Sequence, residues 1–157
     1  MSMGTDETVN RNRLSSQSLS ERERQASVDD LLLGADSEQD PTLSVVMPTL
    51  NEEEGVEECI TRIRNAVAEV GITTEIIVSD SSTDRTPEIA RDLGAIVVEP
   101  DQTGYGYAYR YAFDRVRGDY VVMGDADTTY DFEELPKLLD LIIEGDADIV
   151  MGSRLEG

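Results

Sequence analysis

Two aspartates flank one small residue at the end of an apolar run, Val121-Val122-Met123-Gly124-Asp125-Ala126-Asp127. Side chains two apart in an extended backbone point the same way, so Asp125 and Asp127 can aim at one point just past a strand end. Two carboxylates that close repel unless a cation lies between them. A divalent ion with oxygen ligands relieves the repulsion, and Mg²⁺ or Mn²⁺ held by one or two carboxylates commonly brings substrate phosphates with it. The plainer alternative is a pair of solvated loop acids, one of them capping the next turn. Two further polar clusters follow apolar runs: Pro48-Thr49-Leu50-Asn51-Glu52 and Ser79-Asp80-Ser81-Ser82-Thr83-Asp84.

The surrounding pattern must place these clusters together. Leu43–Met47 reads as a buried strand. Asn51 with Glu54 suits the start of a helix bearing Val56, Ile60, Ile63, Val67 and Val70, closed by Gly71. Thr74–Val78 is a second strand, and Thr86-Pro87 opens a helix ended by Gly94. Ala95–Val98 is a third strand, Gly104–Val116 a helix, and Tyr120–Met123 a fourth strand. Asp131 and Glu134 cap a helix with Leu135, Leu138, Leu139, Ile142 and Ile143, and Ile149–Met151 is a fifth strand. Strands alternating with helices predict an α/β fold with a mostly parallel sheet and helices on both faces. In such doubly wound sheets ligands bind outside the carboxyl ends of the strands, where all three polar clusters fall. The chain stops at Gly157 just after a strand, which reads as truncation or an isolated half. Residues 1–42 are rich in Ser, Glu, Arg, Gln and Asp and read as a disordered polar tail. Within it, 20–34 form a possible short helix with Ser20 and Glu23 as a capping box. The domain is expected over 43–157.

Composition narrows the function further. The net charge of −21 disfavours nucleic acid as a partner. Lys137 is the only lysine beside twelve arginines, and an acidic, lysine-poor surface suits high salt, which screens its self-repulsion. The absence of histidine removes Ser-His and Cys-His catalysis. Cys59 is the only cysteine, lies in a helical pattern and is expected to pack. No apolar stretch approaches the ~18 residues of a membrane span, and the N-terminus has no secretory h-region, so a cytoplasmic setting is expected. Arg110, Arg115 and Arg117 are expected to pair with nearby acids at the surface.

Taken together, Pro48-x-x-Asn51-Glu52, Asp80-x-Ser82-x-Asp84-x-Thr86 and Asp125-x-Asp127 resemble the nucleotide-sugar-binding half of the family 2 glycosyltransferases, which have a GT-A, Rossmann-like fold. Gly104-Tyr105-Gly106 and Gly152-Ser153-Arg154 are similar to segments of the dolichyl-phosphate mannose or glucose synthase branch. The resemblance implies metal-assisted transfer of a hexose from a UDP or GDP sugar to a polyprenyl or dolichyl phosphate at the cytoplasmic face of a membrane. It further implies that Pro48, Asn51 and Glu52 line the nucleotide pocket, that Asp80 accepts from the base ring, and that Asp84 supports that loop. Gly104 and Gly106 would form a turn near phosphate. Asp125 and Asp127 would hold Mg²⁺ or Mn²⁺ and the sugar diphosphate, and Arg154 would contact phosphate. Two positions depart from the family: Ser79 stands where the first of two paired aspartates is usual, and Leu50 where an aromatic is common.

Other readings compete. A donor-binding fragment without catalysis would carry the same motifs. Asp125-Ala-Asp127-Thr-Thr129 also resembles the nucleophile loop of haloacid-dehalogenase-like phosphatases, but that loop belongs on a first core strand. Gly104-x-Gly106 lacks the third glycine of a dinucleotide motif, Tyr109 standing there, and it follows the wrong strand.

Overall fold

In a computed structural model of the chain, residues 28–126 and 134–145 are described. Four strands, β1 (Leu43–Thr49), β2 (Thr74–Asp80), β3 (Ile96–Val98) and β4 (Tyr120–Met123), form one parallel sheet in the order β3-β2-β1-β4. The chain winds outward from β1 to β3, then returns to place β4 on the other side of β1. The carboxyl ends of β1 and β4 therefore flank the topological switch point.

The helices are α1 (Val56–Val70), α2 (Thr86–Asp92), α3 (Tyr105–Phe113) and α4 (Leu135–Ile143). Val45, Met47, Ile76 and Val78 point to one face, where they meet Val56, Ile60, Ile63 and Val67 of α1, Ala90 of α2, and Leu135 and Leu139 of α4. Val46 and Ile77 point to the other, against Tyr109 and Ala112 of α3. The expected helices on both faces are present. Each fully buried Val, Ile or Leu contributes about 1.5–3 kcal/mol, so the larger face carries most of the stability. Val121 and Met123 are exposed on the α3 side of β4, since α3 packs on β1 and β2.

Element positions follow the sequence pattern with two informative differences. Asn51 does not cap α1; the N-cap is Gly55, and Asn51 takes a left-handed backbone with φ 55°. The expected boundary at residue 43 also lies inside a packed unit. Residues 28–31 form a helical turn, Val28 enters the core, and Leu32 bridges to Thr74. Two arginines hold this segment. Arg64 Nη2 donates to Asp29 at 2.6 Å, and Arg117 donates to the carbonyls of Gly34 and Ser37 at 3.0 Å each. A short apolar run suffices to dock once an arginine satisfies the backbone carbonyls of its connector.

Arg117 departs from the expected surface pairing. Its guanidinium meets Glu75, which is 0% exposed, at 2.9 Å. Glu75 also accepts from the Ser44 hydroxyl at 2.7 Å and from the Arg117 backbone N–H at 2.9 Å. Gly118 makes this approach possible. A Cβ there would lie 2.7 Å from Ser44 Oγ and 2.8 Å from the β1 backbone. Arg115 stacks over the Tyr111 ring, 3.6 Å from its centroid.

Asp131, the strand expected over Ile149–Met151 and residues 20–27 of the N-terminal helix lie outside the described residues.

Candidate functional site

The loops that leave β1 and β2 are joined side chain to backbone. Asp80, at the end of β2, is 5% exposed. Its Oδ1 accepts from the Thr49 and Ser82 hydroxyls, each at 2.6 Å, and its Oδ2 from the Ser82 N–H at 3.2 Å. Ser82 Oγ in turn accepts from the Asn51 N–H at 2.7 Å. Asn51 Oδ1 accepts from the Thr83 N–H at 2.9 Å. The left-handed turn at Asn51 is thus stabilised by bonds to the neighbouring loop, and asparagine tolerates that backbone better than most residues. Asp80 is turned into this network, with Oδ2 accepting only the Ser82 N–H among the described residues.

Asp84 makes the second staple. Its Oδ1 accepts from the Thr86 N–H at 2.9 Å and from the Thr86 hydroxyl, and its Oδ2 accepts from the Glu53 N–H at 3.3 Å. Thr86 Oγ1 receives the Glu52 N–H at 2.9 Å. Desolvation would raise the Asp84 pKa, but the bonds from Thr86 and Glu53 outweigh it and hold the carboxyl below its ordinary value of 3.8. A depressed carboxyl pKa stabilises the fold fully above the unfolded value. The contribution disappears as pH falls through the folded-state value. Asp84→Asn should therefore lower the thermal midpoint near neutrality and flatten its fall between about pH 5 and about pH 2. An unchanged acid limb, measured by circular dichroism, would show that Asp84 does not stabilise these loops.

Beyond β4 the chain continues the sheet for one bond, Gly124 N–H to Val46 O at 3.2 Å, and then presents Asp125 half-buried. Tyr105 and Tyr109 of α3 both donate to its Oδ1, at 2.5 and 3.1 Å. Burial first, then the bond with Tyr105 and the charge of Asp125, push the Tyr109 phenol far above its usual pKa, so it stays a donor. On the other side, Cys59 Sγ of α1 donates to Ala126 O at 2.9 Å, which fixes the residue between the two aspartates. Cys59 is buried, as expected of a packing cysteine.

The structure therefore brings Asn51, Glu52, Asp80 and Asp84 into one stitched pair of loops, with Asp125 past the adjacent strand end. Pro48 is buried within β1 opposite Ser79, and Gly104 and Gly106 are exposed at the start of α3. Asp127 and Arg154 lie outside the described residues. Composition and spacing missed a groove of about 290 Å³ beside the second loop, lined by Ser81, Ser82, Thr83, Glu99, Asp101 and Thr103 among others. The turn signal Glu99-Pro100-Asp101 after the third strand was the available cue. The packing of Ser79 was also unforeseen: its Oγ is buried with no partner among the described residues.

Carboxylate oxygen is the donor type that a hard divalent cation takes. Asp125 supplies carboxylate oxygen, and its Oδ2 accepts no bond among the described residues. No three metal-ligating side chains cluster among those residues. Mg²⁺ sites that keep water and substrate phosphate need only one or two carboxylates.

Residues 44–157 match the model of glycosyl transferase family 2. The chain belongs to that family. Among its relatives is the low-salt glycan biosynthesis hexosyltransferase Agl6 of Haloferax volcanii, 67% identical over 129 residues, covering 82% of this chain and 31% of that protein. The dolichyl-phosphate hexose transferase of the same organism is 45% identical, over 72% of this chain and 48% of that protein. The dolichol-phosphate mannosyltransferase of Pyrococcus furiosus is 38% identical, over 71% and 33%. The chain spans about 31–48% of the length of these relatives. Glucosyl-3-phosphoglycerate synthase from Mycobacterium tuberculosis, solved with Mn²⁺, UDP and glucosyl-3-phosphoglycerate, superposes with a TM-score of 0.58 at 29% identity, covering 83% of this chain and 46% of that one. Mannosyl-3-phosphoglycerate synthase from Rubrobacter xylanophilus shares the fold at a TM-score of 0.61 and 23% identity, covering 78% of this chain and 47% of that one. Family membership sets the phosphatase reading aside: the aspartate pair follows the fourth strand of a glycosyltransferase sheet. The relatives from Haloferax accord with the acidic, lysine-poor composition.

Proposed function

We propose that this chain is the donor-binding part of a glycosyltransferase that moves a hexose from a nucleoside diphosphate to a polyprenyl phosphate. The observation that carries the reading is Asp125, held at the switch-point end of β4 with one carboxylate oxygen fixed by two phenols. Asp125 and Asp127 would hold Mg²⁺ or Mn²⁺ and the sugar diphosphate. Sugar transfer leaves negative charge on the diphosphate, and the bound ion supplies the charge that stabilises it. Arg154 would add a guanidinium to the same phosphates. The nucleotide would lie along the stitched loops, where Asp80 and Asp84 hold Asn51 and Glu52 in place, with Pro48 beneath and the Gly104–Gly106 turn at its phosphate side. A lipid phosphate acceptor is already anionic at neutral pH, so it needs no general base among these residues. Such an acceptor would bring the reaction to a membrane surface, in this reading the cytoplasmic face. Among the described residues no helix is long and apolar enough to cross one.

A second reading is that these residues bind donor without transferring sugar. Calorimetry with UDP-glucose and GDP-mannose, with and without MnCl₂, and transfer assays with polyprenyl phosphate separate the two. Metal-dependent binding of one donor is expected from both, and transfer only from the first. Binding of neither nucleotide sugar, with or without metal, would refute both.

A further inference from the structure

The start of α3 holds an arrangement that packing alone does not require. Gly104 enters the helix at φ 123°, a backbone that side-chain-bearing residues rarely adopt, and the next turn carries Tyr105 and Tyr109 on one face. Their rings meet edge to face at 5.2 Å. Tyr109 is 7% exposed, stacks on Phe113 at 5.9 Å, and rests on Val46 and Ile77 of the sheet. Tyr105 is 60% exposed, so its ring buries little. Yet both hydroxyls converge on the same oxygen, Asp125 Oδ1. Two donors from a helix anchored to the sheet leave the carboxylate one orientation. Oδ2 accepts no bond among the described residues.

We propose that Tyr105 and Tyr109 are positioning residues that lock Asp125 so that Oδ2 faces the divalent ion and diphosphate of the donor. The proposal rests on the donor-site reading of Asp125. The tyrosines act through the carboxylate and touch neither ion nor nucleotide. Outer partners that orient a metal-binding carboxylate commonly set affinity by ~10–100-fold. Tyrosine suits the task because its hydroxyl donates without adding a charge that would compete with the cation. The rigid ring also transmits the position of the helix to the oxygen.

The test is a double-mutant cycle read by calorimetry with UDP and with GDP, each with MnCl₂, on the whole chain. Tyr105→Phe/Tyr109→Phe keeps both rings and removes both hydroxyls. It should weaken metal-dependent binding by about tenfold or more, with the thermal midpoint close to wild type. On an Asp125→Ala background the same pair of changes should cost nothing further, because the group they act through is gone. Equal losses on both backgrounds would mean direct ligand contact and would overturn the proposal. Wild-type affinity in the double Phe variant would also overturn it, while a loss in Asp125→Ala in the same experiment would leave the donor site standing. Should Asp125→Ala bind as wild type does, the donor-site reading fails and this proposal falls with it. If Tyr109→Phe lowers the thermal midpoint, the exposed Tyr105→Phe decides alone, with a loss of about threefold or more expected against none.

Discussion

Asp125→Ala is expected to reduce Mn²⁺-dependent nucleotide binding by about a hundredfold or more, since even residues that merely orient a metal ligand cost ~10–100-fold. The fold should survive. Asp125 lies past the last hydrogen bond of β4, and the core residue beside it, Ala126, remains held by Cys59. Asp127→Asn should show a comparable loss, because the isosteric amide keeps the shape of the side chain and removes the charge that the cation needs. The two variants together should cost little more than either alone if both carboxylates hold one ion. Residual binding without metal should be the same in all of them. Calorimetry with and without MnCl₂ measures each quantity, and an Asp127→Asn variant that keeps wild-type, metal-dependent affinity would remove this residue from the ligand set.

Arg117→Ala should be the most destabilising single surface-directed change, about 3 kcal/mol, the lower end of the range for breaking a buried pair. Glu75 is wholly buried, and the change takes away its only charged partner among the described residues. The Ser44 hydroxyl and the backbone N–H of residue 117 remain, which keeps the loss from being larger. For a chain of this size that corresponds to a fall in Tm of roughly 6–12 °C. The same change releases Gly34 and Ser37, so backbone amides over 33–42 should exchange faster with solvent than in wild type. Replacing both partners with apolar residues, Arg117→Met with Glu75→Leu, should recover part of the stability by removing the unpaired charge. A Tm change under about 2 °C for Arg117→Ala would mean that water reaches Glu75 and solvates it in place of the arginine.

Much of the fold is legible along the chain. The apolar runs at Leu43, Thr74 and Tyr120 begin the observed strands, and the spacing of Val56, Ile60, Ile63 and Val67 selects the face of α1 that is buried. These signals are local, and periodicity reads them directly. The aspartate pair after Met123 and the polar runs after β1 and β2 are equally visible. The parallel sheet then requires them to share one end of the molecule.

The roles of individual residues within that end were decided by tertiary structure. β1 and β2 pair with Leu43 opposite Thr74 and Thr49 opposite Asp80, and this register carries on into the loops, where Asn51 meets Ser82 and Glu53 meets Asp84 at the same offset of 31 residues. No window along the sequence contains both partners. Asn51 therefore looks like a helix cap and proves to be a cross-loop staple. Asp80, which by resemblance would accept from a base ring, proves to be buried and bonded to Thr49 and Ser82. Arg117 looks like a surface charge and closes over Glu75, 42 residues away. Tyr105 and Tyr109, 20 and 16 residues before Asp125, meet it because the sheet order sets α3 beside the end of β4. The sequence by itself determined which polar residues follow the strands and at which end of the sheet they lie, because strand alternation and helix period are properties of neighbouring residues. Only the tertiary structure decided which of them are bonded to one another across the loops, because hydrogen bonds go to the nearest available partner in space, and strand register and sheet order choose that partner.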